Sequence, residues 1–279
     1  MIDLHAHSTF SDGSLTPVQL AAHAVERGLS AIALTDHDTT AGLSAFLDAA
    51  RAGSIRGVPG VEISVDCADG TLHMLGYFFD AANEALQSVL RRIREGRSKR
   101  NELIVKRLCE LKMPLTMQEV RAFAGEDLVS RTHFAQAMVA RGYVTSSKDA
   151  FNRYLGRGKP GYVNRFRLAA EPAISVIRDA GGVSVLAHPS TLGLGAQALS
   201  QCVAGLAAYG LSGIEVYYSE HNPAQVKEYL ALAQTLNLVA TGGSDFHGAA
   251  NPLIELGSGF GSLRVPDEAV DRLYERVPR

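Results

Sequence analysis

The sequence predicts an α/β fold in which helices cover a mainly parallel sheet. Short apolar runs alternate with amphipathic segments over the first eighty residues, and the same alternation returns after Glu171. Alternating strands and helices are typical of parallel sheets, whose chemistry gathers at the carboxyl ends of the strands. Residue types that bind metal ions follow several of these apolar runs, so we expect a functional site at that edge of the sheet.

The chain begins with an apolar run that ends in His5 and His7. Side chains two residues apart in a strand point to the same side, so the two imidazoles face one point. The loop that follows contains Asp12. A helix is then predicted over residues 17–28, because a threonine, a proline and a glutamine at suitable spacing mark its start.

The rest of the sheet is predicted from further apolar runs and the helical patterns between them. Strands are expected at residues 31–35, 57–65, 71–78, 183–187, 213–217 and 238–241, with a possible strand at 262–265. Helices are expected after residue 39 or 40 and at residues 172–180, 196–209, 223–236 and 267–276. Six candidate metal ligands lie in or directly after these strands: His37, Glu62, His73, His188, Asp245 and His247.

Residues 81–165 interrupt the alternation and predict a largely helical insertion. A long helix is expected at residues 84–111, but its middle is polar for more than two turns, unlike a helix that is buried along its length. Arg97, Arg100 and Asn101 share one face of this helix by their three- and four-residue spacing. That face is either a solvated charged patch or a surface that contacts phosphate.

A second anion-binding group is expected where Ser130, Arg131 and His133 begin a predicted helix that runs through Ala140. The first backbone amides of this helix and the Arg131 side chain together suit an anion. His133 has two open interpretations: it contacts phosphate, or it caps the helix and packs inside the protein.

Lys159 lies in a loop at residues 156–161 that formally matches the G-x-G-x-x-G nucleotide-binding pattern. We reject that interpretation because no helix begins after Pro160, and the pattern requires one. Lys159 is therefore a candidate phosphate ligand on its own, with an ordinary surface turn as the alternative.

The composition is that of one enzyme-sized unit. With 279 residues, of which 46% are hydrophobic, the chain can bury a large core, and its formal charge of −2 gives no general nucleic-acid signature. Cys67, Cys109 and Cys202 are far apart and odd in number, which favours a cytoplasmic location over a disulfide framework. No apolar segment approaches the length of a membrane span, and the N-terminus lacks the basic region and apolar core of a secretory signal. We expect neither a membrane nor an obligate protein partner.

Nine side chains form a candidate metal centre. They are His5, His7, Asp12, His37, Glu62, His73, His188, Asp245 and His247. Six imidazoles and three carboxylates exceed what one ion binds, so two or three ions are expected. Nitrogen and oxygen donors without a thiolate favour Mn²⁺, Zn²⁺ or Fe²⁺. Such clusters hydrolyse esters and phosphoesters, because the ions activate water and neutralise developing charge.

These motifs resemble the PHP (polymerase and histidinol phosphatase) family of metal-dependent phosphoesterases, within the amidohydrolase superfamily. The resemblance rests on His5-x-His7, Asp12 in a Ser-Asp-Gly loop, Thr35-Asp36-His37-Asp38, Gly60-Val61-Glu62, His73, Ala187-His188-Pro189 and Gly243-Ser244-Asp245-Phe246-His247. It implies a distorted (β/α)₇ barrel, formed by residues 1–80 and 166–279, with residues 81–165 as a helical insertion that covers the substrate.

The resemblance also implies a trinuclear site, usually of Mn²⁺. His5, His7, Glu62 and Asp245 would hold one ion, Glu62, His73 and His188 a second, and Asp12, His37 and His247 a third. Catalytic roles fall to Asp12, Glu62, His188, Asp245 and His247. Asp36, Asp38 and His221 are expected to orient the ligands or handle protons, and Asp3 to orient the end of the first strand.

The insertion resembles that of small stand-alone members which act on nucleotides and short RNA. Among these we favour hydrolysis of the 3′-phosphate of nucleoside 3′,5′-bisphosphates by a metal-bridged hydroxide, because the cationic residues are few and local and tryptophan is absent. The phosphates would contact Arg97, Arg100, Asn101, Ser130, Arg131, His133 and Lys159.

Four alternative functions remain open from the sequence. The first is a 5′-to-3′ exoribonuclease acting on short 5′-phosphorylated RNA, and the second is a histidinol-phosphate-type monoester phosphatase. The third is an amidohydrolase acting on a carbonyl group, which the cationic insertion disfavours. The fourth is a non-catalytic, metal-storing domain, which the complete set of nine ligand positions disfavours.

Overall fold

Seven strands form one sheet whose spatial order follows the chain from β1 to β7 in a computed structural model. The structure describes residues 1–66, 72–124 and 128–278, so Cys67 and Thr71 lie outside the described residues. The strands are β1 (Ile2–Asp3), β2 (Ala31–Leu34), β3 (Arg56–Val65), β4 (Leu72–Tyr77), β5 (Val183–Leu186), β6 (Gly213–Tyr218) and β7 (Val239–Gly243).

The first and last strands meet, which nearly closes the sheet into a barrel. The Leu4 amide donates to the Gly242 carbonyl at 3.2 Å, and Ala6 pairs with Phe246 in parallel orientation. The predicted α/β fold and distorted seven-stranded barrel are therefore confirmed. The predicted strand at residues 262–265 is wrong, because this segment is irregular.

Strand β4 runs antiparallel to both β3 and β5, whereas the other neighbouring strands pair in parallel. Only residues 66–71 connect β3 to β4, too short a segment for the crossover that parallel pairing requires. The beginning of β4 consequently lies at the barrel edge where the parallel strands end. His73 is the second residue of β4 and pairs with Ser64, so the reversal brings it to that edge.

Ten α-helices are described, and every predicted helix is among them with ends shifted by at most three residues. They are α1 (Pro17–Glu26), α2 (Leu43–Ala52), α3 (Glu84–Glu110), α4 (Met117–Arg121), α5 (Arg131–Ala140), α6 (Ser147–Ala150), α7 (Ala170–Asp179), α8 (Ala196–Ala208), α9 (Pro223–Thr235) and α10 (Ala269–Tyr274). Thr16 caps α1 in a reciprocal pair with Gln19, as predicted. None of the described helices combines the length and the apolar composition that a membrane span requires.

The hydrophobic core has three parts, and helix α3 contributes to two of them. Alternate strand residues separate a cluster inside the barrel, around Tyr77, from a cluster beneath the outer helices. The first half of α3 packs Leu90 into the outer cluster. Its second half packs Leu108 into a third cluster that residues 104–155 form by themselves. Helix α3 thus connects the barrel to the helical segment, and the boundaries proposed at residues 80/81 and 165/166 stay a prediction.

A buried hydrogen bond inside the barrel should contribute measurably to stability. Tyr77 is 1% exposed, and its hydroxyl donates to the Leu4 carbonyl at 2.6 Å. We expect Tyr77→Phe to lower the free energy of unfolding by about 1–2 kcal/mol, because the buried carbonyl loses its partner. Tyr209→Phe, at an exposed ring, should change it by less than about 0.5 kcal/mol. Urea unfolding of both variants measures the difference, and equal stabilities would contradict the assignment.

Candidate active site

The nine candidate metal ligands converge at the carboxyl edge of the barrel, with Glu62 at their centre. Glu62 is 1% exposed, and each of its two oxygens faces several imidazoles. Oε2 lies 2.8 Å from His37 Nδ1, 3.4 Å from His7 Nε2 and 3.5 Å from His5 Nε2. Oε1 lies 2.8 Å from His73 Nδ1 and 3.0 Å from His188 Nε2. One carboxylate therefore contacts five histidines.

Two further carboxylates, Asp245 and Asp12, extend the cluster. Asp245 Oδ1 lies 3.1 Å from His7 Nε2 and 3.6 Å from His247 Nδ1. Asp12 Oδ1 lies 3.3 Å from His247 Nε2, and its Oδ2 lies 3.8 Å from His37 Nε2. Each carboxylate thus bridges at least two imidazoles, which is the arrangement expected of a site that holds neighbouring ions.

The donor atoms form four overlapping groups, in each of which all atoms lie within 4.8 Å of one another. Among the described residues these groups are His7, Asp12, His37 and His247; His5, His7 and Asp245; His5, Glu62 and His188; and His37, Glu62 and His73. The set Asp12, His37 and His247, implied by the family resemblance, falls within one group. The implied set Glu62, His73 and His188 is divided between two groups that share Glu62. The assignment of ligands to individual ions therefore stays a prediction.

Within the described part of the chain, six buried atoms of this cluster have no hydrogen-bond partner of suitable geometry, although some lie close to one another. They are His5 Nε2, His7 Nε2, Asp12 Oδ1, His37 Nδ1, Glu62 Oε2 and His73 Nδ1. A buried polar atom without a partner costs free energy, so native structures rarely leave one, let alone six together. Because all six are nitrogen or oxygen donors that face one region, the residues fit divalent metal ions such as Mn²⁺, Zn²⁺ or Fe²⁺.

The carboxylates of the cluster and several of its imidazoles hold each other in the ionised state, whereas burial lowers the pKa values of His7 and His73. Burial would raise the pKa of Glu62, but the neighbouring imidazoles, His37 above all, hold it well below its usual range. The pKa values of Asp12 and Asp245 are lowered in the same way against the effect of burial. Burial would lower the pKa values of His37 and His247, but the carboxylates raise them to about 9 and about 10. Bound ions would replace these protons, since metals bind neutral imidazole.

Glu215 fixes two of the ligand positions, although the sequence analysis did not select it. Its Oε1 contacts His5 Nδ1 at 2.9 Å, and its Oε2 accepts from the His188 amide at 2.6 Å. The available signal was a single carboxylate within the otherwise uncharged strand β6. The Tyr218 hydroxyl, also missed, donates to Asp245 Oδ2 at 3.0 Å.

Asp36 and Asp3 position the ligand-bearing loops, as expected. Asp36 accepts hydrogen bonds from the Ser8 amide and from the hydroxyls of Ser8 and Ser11. The Ser11 hydroxyl in turn lies 3.3 Å from His7 Nδ1, so Asp36 orients His7 through Ser11. Asp3 accepts from the amides of His5, Ser244 and Gly257.

His221 and Asp38 differ from that expectation, because their contacts lead away from the metal centre. His221 bonds to the Val216 carbonyl and to Ser190 Oγ and so supports the end of β6. Asp38 instead binds arginines, and it belongs to the cavity beside the centre.

A cavity of about 460 Å³, the arginine cavity, opens directly from the candidate metal centre. Three of the candidate ligands, Asp12, His37 and His73, form part of its wall. Arginine side chains line much of the remainder, namely Arg97, Arg100, Arg131, Arg157, Arg165 and Arg167. Guanidinium groups bind phosphate in bidentate geometry, so the cavity suits a phosphorylated substrate.

Asp38 is the carboxylate that Arg97 and Arg165 share. Its Oδ2 lies 2.5 Å from Arg97 Nη2 and 3.6 Å from Arg165 Nη2, and it also accepts a hydrogen bond from Ser64 Oγ. Arg97 Nε and Arg165 Nε and Nη1 are buried and have no hydrogen-bond partner among the described residues. Burial and the neighbouring Arg97 lower the pKa of Arg165 to about 9 against the effect of Asp38. Among the described residues that line the arginine cavity, the six arginines therefore outnumber the carboxylates of Asp12 and Asp66, and an anion would relieve the imbalance.

The interpretation of Arg97, Arg100 and Asn101 as a solvated patch is wrong, because all three are buried, with Arg97 7% exposed. Arg97 is held by Asp38, which lies 59 residues away in the sequence. Asn101 accepts from Arg100 Nε and donates to the Val129 carbonyl. Arg97 and Arg100 line the arginine cavity, whereas Asn101 positions Arg100 from behind it.

The predicted residues near α5 divide into cavity-lining and structural positions. Ser130 and Arg131 line the arginine cavity, and Ser130 also caps α5 by accepting from the Thr132 amide. His133 Nδ1 accepts from the Ser130 amide at 3.1 Å, which favours the capping interpretation. Lys159 is exposed and does not line the arginine cavity; Arg157 of the same loop does.

Arg165 and Arg167 were missed by the sequence analysis. Their spacing of two residues was the available signal, because side chains two residues apart point to the same side where the backbone is extended. Asn164 and Tyr162, which precede them, line the same cavity.

Comparison with known proteins gives consistent results. A family model described as PHP domain matches residues 3–143. The 5′-3′ exoribonuclease Rnm of Escherichia coli is 38% identical over 257 residues, covering 91% of this chain and 87% of that protein. The 3′,5′-nucleoside bisphosphate phosphatase of Chromobacterium violaceum is 38% identical over 250 residues, covering 88% and 87%. An amidohydrolase from Chromobacterium violaceum, solved with bound sulfate and no metal, superposes with a TM-score of 0.87 and 34% identity, covering 100% and 97%.

The central position of Glu62 predicts the metal content of a variant. We expect Glu62→Gln, which keeps the side-chain size but removes the charge, to lose at least one ion per chain after reconstitution with Mn²⁺, since Glu62 belongs to two donor groups. Glu228→Gln, at an exposed position in α9, is the matched control and should retain the full content. Atomic emission on both proteins measures the ratio. An unchanged content in Glu62→Gln would contradict the central role of this carboxylate.

Proposed function

Because the chain belongs to the PHP family of metal-dependent phosphoesterases, we propose that this hydrolase removes the 3′-phosphate of nucleoside 3′,5′-bisphosphates. The observation that carries the proposal is the arginine cavity, whose wall includes both candidate metal ligands and buried arginines. A nucleotide with two phosphates matches this arrangement, with the 3′-phosphate at the metal centre and the 5′-phosphate among the arginines. A substrate without a second anion would leave the buried cationic group unneutralised.

Several side chains are oriented to hold the 5′-phosphate. Arg131 Nη1 donates to the Leu155 carbonyl at 3.1 Å, and the Arg131 guanidinium lies 5.4 Å from the Tyr162 ring and 5.7 Å from the Phe151 ring. These contacts fix the plane of the guanidinium before substrate binds, which reduces the entropy lost on binding. The amino end of α5 begins at the same residue, and the helix dipole favours an anion there.

The metal centre would act on the 3′-phosphate. Two or three ions, which we propose to be Mn²⁺, would supply an activated water and neutralise charge on the phosphoryl and leaving oxygens. The nine candidate ligands would hold these ions, and Glu215 and Tyr218 would keep His5, His188 and Asp245 in place.

The arginines disfavour two of the alternatives derived from the sequence. A carbonyl substrate such as a neutral amide would gain nothing from buried guanidinium groups. Histidinol phosphate carries one phosphate and a positively charged amine, so the arginine cavity would repel the amine.

A second candidate is removal of nucleotides from the 5′ end of short RNA, which breaks the same P–O3′ bond. The name of the Escherichia coli relative and a cavity on the other side of the metal centre favour this candidate.

Phosphate release from a substrate panel tests the proposal. With the Mn²⁺-loaded protein we expect adenosine 3′,5′-bisphosphate to give 5′-AMP with kcat/KM at least about tenfold higher than 3′-AMP, which lacks the 5′-phosphate, since one charged hydrogen bond contributes about 1.5–3 kcal/mol. The remaining substrates, 5′-AMP and histidinol phosphate, should react more slowly still. A preference for either of them would overturn the proposed function.

Arg131 provides a test of the arginine cavity by itself. We expect Arg131→Ala to raise KM for adenosine 3′,5′-bisphosphate by about tenfold or more, because a charge-assisted contact contributes about 1.5–3 kcal/mol. Its kcat and its metal content should stay close to those of the unmodified protein. Arg51→Ala, at an exposed arginine in α2, controls for the loss of one positive charge. Kinetics equal to the control would remove Arg131 from the substrate site.

A further inference from the structure

A cavity of about 390 Å³, the outer cavity, is formed by helix α3 and residues 164–166. Three of the residues that line it, Arg100, Asn164 and Arg165, also line the arginine cavity. The two cavities are therefore neighbours that share part of one wall. Among the described residues that line the outer cavity, none is a candidate metal ligand, so it is separate from the metal centre.

Positive charge predominates in the outer cavity. Arg92 and Lys99 are exposed residues of α3 that line it and do not line the arginine cavity. Arg100 and Arg165 add two further cations from the shared wall. Among the described residues of this wall the single carboxylate is that of Glu95. Four cations against one carboxylate suit an anion as ligand.

Arg100 is a buried cation whose hydrogen-bond partners are neutral. It is 3% exposed, its Nε donates to Asn101 Oδ1, and its Nη2 donates to the Val129 carbonyl. Burial and the neighbouring Arg97 hold the pKa of Arg100 well below its usual value. A buried cation is costly unless a negative charge lies beside it. The surroundings of Arg100 therefore indicate a missing anion.

Arg165, the second cation of the shared wall, has donors without acceptors. Its side chain is 4% exposed and lies 3.6 Å from Asp38, a carboxylate that Arg97 already contacts at 2.5 Å. Nε and Nη1 of Arg165 are buried and have no hydrogen-bond partner within the described part of the chain. Buried donors without a partner indicate a missing acceptor, and phosphate oxygens are the acceptors that guanidinium groups bind best.

One phosphate in the arginine cavity does not neutralise this group of cations. Six arginines line that cavity, whereas a phosphate monoester carries about two negative charges at neutral pH. A guanidinium group has five N–H donors, so Arg100 and Arg165 can each contact an anion in either cavity. A second phosphate in the outer cavity would use the donors that the first leaves free.

Arg92 is held in place at the outer cavity before any ligand binds. Its guanidinium lies 4.0 Å from the centre of the Phe166 ring. Phe166 can approach α3 because Gly96 has no side chain: an added Cβ would lie 3.1 Å from Phe166 Cβ. Stacking on a ring fixes the plane of a guanidinium and leaves its N–H edge available for phosphate.

We propose that the outer cavity binds a second phosphate group, beside the 5′-phosphate that the arginine cavity holds. Two sources supply such a group, namely the distal phosphate of a nucleotide with a 5′-diphosphate and free inorganic phosphate. With the first source the proposal rests on the proposed function and extends its substrates to nucleoside 3′-phosphates that carry a 5′-diphosphate.

The reaction at the 3′ end is the same for this substrate as for the bisphosphate. A water oxygen forms a bond to the 3′ phosphorus, and the P–O3′ bond breaks with its electron pair remaining on O3′. That oxygen takes a proton, and inorganic phosphate leaves. The 5′-diphosphate is unchanged, and no oxidant or further reactant is required.

The first arm of the test measures hydrolysis by the Mn²⁺-loaded full chain and by its Arg92→Ala/Lys99→Ala variant. Its substrates are adenosine 3′,5′-bisphosphate and adenosine 3′-phosphate 5′-diphosphate. Because two charge-assisted contacts are lost, kcat/KM for the diphosphate should fall about tenfold or more in the variant. The value for the bisphosphate should stay unchanged, which also shows that the variant is folded. Arg91→Ala/Lys106→Ala, at exposed positions of α3 outside the cavity wall, removes the same charges and should leave both substrates unaffected.

The second arm measures the binding of radiolabelled inorganic phosphate to the same three proteins by equilibrium dialysis, which requires no turnover. Phosphate that binds at the metal centre or in the arginine cavity is common to all three. We expect the Arg92→Ala/Lys99→Ala variant to bind one phosphate per chain fewer than the unmodified protein and the Arg91→Ala/Lys106→Ala control.

The outcomes identify the source of the phosphate and separate this proposal from the proposed function. A selective loss on the diphosphate would identify the distal 5′-phosphate as the ligand, and a loss of bound inorganic phosphate would identify the free anion. No change in either arm would overturn the proposal, and so would equal losses on both nucleotides with unchanged phosphate binding. If the unmodified protein did not hydrolyse the bisphosphate, the proposed function would fail, and the dialysis would still decide whether the outer cavity binds phosphate.

Discussion

The concentration of nine ionisable side chains at one end of the barrel is the constraint on which the rest of the structure depends. Burying a carboxylate such as Glu62 without a compensating partner costs on the order of several kcal/mol. The surrounding imidazoles compensate part of this cost. Hydrogen bonds do not compensate the rest, because several donor atoms of the cluster have no hydrogen-bond partner among the described residues. The side chains of the cluster must also be held in place against the repulsion between neighbouring imidazoles. The network of Glu215, Asp36 and Tyr218 supplies that rigidity from outside the cluster.

The reversal of β4 is a direct consequence of how the cluster is assembled. In a barrel with only parallel strands, a ligand at the start of a strand would lie at the edge opposite the metal centre. His73 is such a residue, and it reaches Glu62 at 2.8 Å only because β4 runs against its neighbours. The same reversal allows residues 66–71 to connect β3 to β4 directly. The much longer segment that connects β4 to β5 begins after Tyr77 and leads into α3. Helix α3 carries Arg97 to Asp38, beside the metal centre.

Features that depend on a local sequence pattern could be predicted from the sequence, whereas features that depend on a partner far away in the chain could not. Strands and ligand positions were predictable, because an apolar run and the residues directly after it are neighbours in the chain. The burial of Arg97 was not, because a polar helix face looks solvated until its partner Asp38, 59 residues away, is known. The exposed position of Lys159, outside the arginine cavity, was not predictable either, because a cation in a glycine-rich loop can point in any direction. Glu215 carried a local signal that was overlooked, a lone carboxylate in an apolar strand.

The charge distribution around the metal centre argues for a substrate that is asymmetric about one phosphate. On one side, guanidinium groups outnumber carboxylates among the described residues of the wall, and Asp38 is already shared between Arg97 and Arg165. On the other side, Glu220 lines a wall that is without arginine or lysine among its described residues. A symmetric polyanion would be attracted by the first wall and repelled by the second. The proposed nucleoside 3′,5′-bisphosphate, with its 5′-phosphate among the arginines and its 3′-phosphate at the metal centre, places no further anion against the second wall. Such a preference would follow from charge alone, before any contact with a base is made.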